Sequence, residues 1–188
     1  MFKAILATMI MASAISVQAD AAAPATASIL PPPAVAADLS NQLTLVLSTG
    51  GSVVIQLRPD IAPQNVERIK TLVRRGFYNG LIFHRVVPGF MAQGGDPQGT
   101  GMGGSDLPDV PGEFTTIPHM RGTVAMARAE DVNSANSQFY IMFARNAELD
   151  FNYTVIGRVI SGMDAVDKIA PGEPPETPTK ILRASLGG

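Results

Sequence analysis

Eight short β-type runs, broken by glycine and proline and interrupted by only two helical segments, limit the fold of this chain more than any other feature. Leu43, Leu45 and Leu47 alternate with Thr44, Val46 and Ser48, the period that turns one side of a strand to a core. Thr49-Gly50-Gly51 marks a tight turn, and residues 53–57 return as the second strand of a hairpin. Further strands are expected at 81–87, 90–93, 122–127, 138–143, 155–159 and 181–186. One helix should start at Pro63, carry Val66, Ile69 and Val73 on one face, and stop at Gly76. A second is expected at 163–169, with Met163, Val166 and Ile169 together. Many short strands and few helices point to a mainly β barrel or sandwich.

The β-rich region occupies residues 39–188, enough for one domain with a substantial core. Residues 1–19 have the layout of a signal peptide: Lys3 near the start, an uncharged apolar run, and Val17-Gln18-Ala19 before an expected cut at Asp20. That apolar run is short for a membrane span. A periplasmic or secreted protein, off the membrane after cleavage, is the expectation. Residues 20–38 read as an Ala/Pro-rich linker, extended around Pro31-Pro32-Pro33. The chain has no Cys, so it has no disulfide and no thiol chemistry. A formal net charge of −2 and scattered basic residues argue against nucleic-acid binding.

Function concentrates in FHRVVPGFMAQGGDPQGTGMGG, at 83–104. An arginine, a glutamine and two large apolar side chains fall close together, followed by a glycine-rich loop. The run holds no Cys and no metal-ligand spacing, and Ser105 beyond it has no base nearby in sequence. Such a site can bind and polarise a substrate but has little with which to form a covalent bond. The glycines lack the Lys-Ser/Thr of a phosphate loop.

Three blocks resemble the cyclophilins, the peptidyl-prolyl cis-trans isomerases, and most closely their exported bacterial type. They are GFYNGLIFHRVVPGFMAQGGD at 76–96, GTVAMAR at 122–128 and NSQFYI at 136–141. The resemblance spans about residues 43–186. It implies a closed eight-stranded antiparallel β-barrel capped by two α-helices, with the peptide site on its outside. It also implies proline-containing polypeptide substrates, no cofactor, no metal and a monomeric domain.

By that resemblance Arg85 is the catalytic arginine that hydrogen-bonds the substrate prolyl amide. Phe90 and Met91 form the proline pocket. They are neighbours and should face opposite ways on a regular strand, so the strand must be irregular there. Gln93 contacts the substrate backbone, as does the main chain of Ala127, Arg128 and Ala129. Gln138 supplies a polar contact, Tyr140 and Leu149 pocket walls, and Gly101 a position beside the site. Tyr140 stands where Phe is commoner, so its hydroxyl needs water or a partner.

Two departures stand out. Glu148 occupies a position that is often Trp or Phe, and Tyr153 one that is commonly His. Both should weaken a cyclic-peptide inhibitor of the family more than turnover. His84 and His119 are the only histidines, too few for a metal site. His84 is expected on the strand face opposite Arg85, in a structural role, and Asp150 at a turn or cap. Two other readings remain: a proline-peptide-binding chaperone with weak catalysis, and a barrel carrying an internal apolar ligand. The intact pocket set weighs against the first, and the bulky Leu, Val, Ile and Phe of the strands against the second.

Overall fold

A computed structural model describes residues 38–187. The expected signal peptide and all but the last residue of the expected linker lie outside the described residues. Eight antiparallel strands form one curled sheet in the order β3-β4-β6-β5-β7-β2-β1-β8. They are β1 (Gln42–Leu47), β2 (Ser52–Leu57), β3 (Phe83–Val87), β4 (Met91–Gly94), β5 (Thr123–Met126), β6 (Phe139–Met142), β7 (Val155–Ser161) and β8 (Ile181–Leu186). Helix α1 (Pro63–Arg74) lies against β8, and α2 (Met163–Val166) against β2.

The β1 alternation sends Leu43, Leu45 and Leu47 inward, where they meet Val53, Ile55 and Leu57 of β2 and Val66, Ile69 and Leu72 of α1. The interior is filled with side chains. Strands β5 and β6 are buried at every position. Their inner residues join the main core, while Ala125, Tyr140 and Met142 form a second cluster with Met91 on the other face. A sheet covered on both faces loses its polar–apolar alternation.

The continuous closed barrel expected from the sequence is not found. Edge strands β3 and β8 are not paired with each other; the residues just before them, Ile82 and Lys180, form an isolated bridge, and the sheet is a curled half-barrel. Pro174, Pro175 and Pro178 precede β8. They lack the N–H groups that a ladder there would need.

Helix α1 ends as expected: Gly76 takes φ 70°, and Phe77 N–H donates to the Leu72 carbonyl at 3.0 Å. Its start is capped from a distance. The Glu113 carboxylate accepts from the N–H groups of Gln64 (3.1 Å) and Asn65 (3.0 Å). The second helix is shorter than expected and gives way to turns after Val166, although Ile169 remains buried.

Candidate active site

Most of the expected site residues line one depression of about 160 Å³ on the outer face of β3–β6: Arg85, Phe90, Met91, Gln93, Ala127, Arg128, Tyr140, Leu149 and Tyr153. Gly101, Ala129 and Gln138 line an adjoining, larger depression of about 560 Å³ that shares Gln93, Ala127 and Arg128 with the first. Glu148 is exposed and lines neither.

Local backbone irregularities produce this gathering. In the β3–β4 ladder Phe83 pairs with Gly94 and Arg85 with Gln93, so His84 is an inserted residue. Such a bulge places two residues opposite one on the partner strand. It turns His84 and Arg85 outward together, while Phe83 and Val86 stay in the core. The expectation that His84 faces away from Arg85 therefore fails. His84 is buried beneath the glycine-rich loop, its ring 3.5 Å from where a Gly101 Cβ would sit. Neither ring nitrogen has a protein hydrogen-bond partner, and burial lowers its pKa. Phe90 precedes β4, in a turn that contains Gly89 at φ 73°. That placement frees it from strand alternation and lets it share the depression with Met91.

The polar side of the site is a chain of amides. Gln93 Nε2 donates to Gln138 Oε1 at 2.8 Å, and Gln138 Nε2 donates to the carbonyls of Gly101 (3.0 Å) and Gly103 (2.8 Å). The loop carrying those carbonyls wraps a carboxylate. Buried Asp96 accepts from the N–H groups of Gln98 (2.8 Å), Thr100 (2.9 Å) and Gly101 (2.6 Å). Burial opposes its charge, but these amides outweigh that and hold its pKa below the ordinary value. The cradle that might suggest phosphate is filled from within by the protein's own anion.

Arg128 is fully engaged. It donates to the carbonyls of Ala129, Glu130 and Asn152 and lies 4.7 Å from the centre of the Tyr153 ring. It ties two loops together and holds Tyr153 edge-on to Tyr140. The Ala127 N–H donates to Gln138 O and the Ala129 N–H to Ser134 Oγ, so both are committed within the fold.

The Tyr140 hydroxyl finds its partner behind the pocket, 3.1 Å from His119 Nε2. His119 is completely buried, and its Nδ1 lies 3.2 Å from Asp150 Oδ1. Asp150 also accepts from the His119 N–H and from Arg145. Burial lowers the His119 pKa although Asp150 opposes the shift. A neutral ring fits the geometry, with Nδ1–H donating to Asp150 and Nε2 accepting from Tyr140. Asp150 is partly buried, which works against its charge, but Arg145 and His119 hold its pKa down at about 2. This Tyr–His–Asp–Arg chain was not foreseen from the sequence. Its one sequence signal is a Tyr where Phe is usual, whose hydroxyl needed an acceptor. Among the described residues no three His, Cys, Asp or Glu side chains gather as a metal site.

The model of the family "Cyclophilin type peptidyl-prolyl cis-trans isomerase/CLD" matches residues 43–186. The chain belongs to the cyclophilin family. A probable peptidyl-prolyl cis-trans isomerase of Brucella suis is 50% identical over 167 residues, covering 80% of this chain and 85% of that protein. Peptidyl-prolyl cis-trans isomerase A of Dickeya dadantii is 42% identical, covering 73% and 75% respectively. Among solved structures, cyclophilin AquaCyp293 from Hirschia baltica superposes with TM-score 0.74 at 32% identity, over 79% of this chain and 74% of that one. A Cryptosporidium parvum cyclophilin, determined in the presence of the dipeptide Ala-Pro, has TM-score 0.72 and 25% identity, covering 78% and 99%. Like its relatives, this cyclophilin is a peptidyl-prolyl cis-trans isomerase.

Proposed function

We propose that this cyclophilin accelerates X-Pro isomerisation in exported polypeptides by non-covalent stabilisation of the twisted prolyl amide, with Arg85 as the catalytic residue. The observation that carries the reading is the position of Arg85. Arg85 lines the same recess as the apolar side chains of Phe90, Met91, Tyr140, Leu149 and Tyr153.

The planar amide resists rotation because of its partial double-bond character. Uncatalysed X-Pro exchange takes tens of seconds. Reaching a turnover of roughly 10–1000 per second needs about 4–7 kcal/mol of differential stabilisation. Rotation removes resonance and leaves a lone pair on the prolyl nitrogen. A guanidinium aimed at that nitrogen stabilises the twisted form more than the planar one, by about 1.5–3 kcal/mol. The recess holds the ring and excludes water, while Gln93 and the main chain at 127–129 hold the peptide on either side. Main-chain pairing would use the carbonyls and the Arg128 N–H, since the Ala127 and Ala129 N–H groups are committed. The Cryptosporidium parvum relative determined with Ala-Pro supports a proline-containing substrate.

The signal-like residues 1–19 support export to the periplasm or beyond. A monomer acting on diverse chains suits the shallow site. Tyr153, which lines the recess at a position that is commonly His in the family, supports weak binding of the cyclic-peptide inhibitor.

Arg85→Ala tests the catalytic role. It should lower kcat/KM by roughly one to two decades, or about three where the site is dry, with the fold intact. A protease-coupled proline-peptide assay measures this, with circular dichroism as the fold control. Near-wild-type turnover in a folded variant would refute the role.

A further inference from the structure

The Arg85 guanidinium does not hang free over the pocket. Its Nε donates to Oε2 of Glu173 at 2.6 Å, and its two Nη atoms have no protein partner among the described residues. An exposed ion pair of this kind is commonly worth little, because two long side chains must be ordered to make it. Here the backbone does much of that ordering. Val86 and Gly172 form an antiparallel bridge, with Val86 N–H donating to Gly172 O at 2.8 Å and Gly172 N–H donating to Val86 O at 2.9 Å. The next residues in register are Arg85 and Glu173, which face each other as a cross-strand pair.

The segment bearing Glu173 is stiff. Pro171, Pro174 and Pro175 restrict its backbone. A Cβ on Gly172 would lie 2.5 Å from the Pro175 Cα, so the turn admits no larger residue without moving. The turn thus fixes the backbone that carries Glu173 beside Arg85.

We propose that Glu173 is a positioning residue for the isomerase reaction. By occupying Nε, it fixes the plane of the guanidinium and leaves the Nη edge to meet the prolyl amide. Its cost in arginine side-chain entropy falls in the resting enzyme and not in the transition state. The proposal rests on the catalytic role given to Arg85.

Four variants test it, counting the Arg85→Ala background, read by NMR exchange spectroscopy on an Ala-Pro-containing peptide, which separates kcat from the dissociation constant. Glu173→Ala should lower kcat roughly three- to tenfold and leave binding within about twofold. Glu173→Gln keeps an oxygen for Nε and should recover most of the loss. In an Arg85→Ala background, Glu173→Ala should change nothing further, since the two residues act through one guanidinium. Wild-type kcat in folded Glu173→Ala would overturn the proposal. So would an undiminished loss in the Arg85→Ala background, which would mark a merely structural effect. A Gln variant as slow as the Ala variant would overturn it too, because the effect would then follow charge and not the hydrogen bond. Full turnover by Arg85→Ala alone would refute the catalytic role itself, a separate failure visible in the same experiment.

Discussion

Replacing Tyr140 by Phe substitutes the residue commoner in the family, and by resemblance alone it should be harmless. The structure argues the reverse for stability. The hydroxyl lies 3.1 Å from His119 Nε2, in a place where Tyr140 is 5% exposed and His119 is 0% exposed. Phe removes the donor and leaves that nitrogen buried. His119 cannot turn to find another partner, because Nδ1 and the main-chain N–H are both held by Asp150. An unsatisfied buried acceptor costs about 1–3 kcal/mol, and the desolvation saved by deleting the hydroxyl offsets only part of it. A net loss of about 1–2 kcal/mol corresponds to a Tm lower by roughly 2–8 °C for a domain of this size. The pocket wall is the ring, which Phe keeps, so kcat/KM should stay within about threefold. Calorimetry and the proline-peptide assay on the same preparations measure both quantities. An unchanged or raised Tm would show that the bond to His119 contributes nothing net. An unchanged Tm with a large loss of turnover would show that the hydroxyl serves the substrate instead.

Stability should fall as pH drops below about 6.5. Burial lowers the pKa of both His84 and His119 in the fold, so the unfolded chain takes up protons first and is favoured. Thermal melts between pH 7.5 and 5 should show this slope, and His84→Gln should reduce it; a flat profile would contradict the burial argument. Asp150, whose folded pKa is about 2, gives stability that is lost only below its ordinary value of 3.8, outside that window. For export, protein recovered from the native host's periplasmic or secreted fraction should have the mass of a chain beginning at Asp20. Full-length protein found in the cytoplasm would remove the localisation claim.

Periodicity and punctuation in the sequence located every strand to within about two residues and started and stopped α1 correctly. These are local properties: side-chain period, the φ of proline, the left-handed glycine at position 76. The motif at 83–104 likewise marked four of the nine residues that line the smaller depression, Arg85, Phe90, Met91 and Gln93, because one short segment carries them. The tertiary structure decided what depends on partners distant in the chain. Alternation could not show that His84 and Arg85 face the same way, since a bulge is defined by pairing with Gln93 on another strand. Nor could it show that β3 and β8 stay unpaired, with a bridge only just before them, between Ile82 and Lys180. The polar network around the pocket joins residues far apart in sequence. Tyr140 reaches back to His119, Arg85 reaches forward to Glu173, and Glu113 caps a helix that starts at Pro63. No local pattern encodes such contacts. Hydrogen bonds and ion pairs are made at a few ångströms, and only the folded sheet brings those groups within that range.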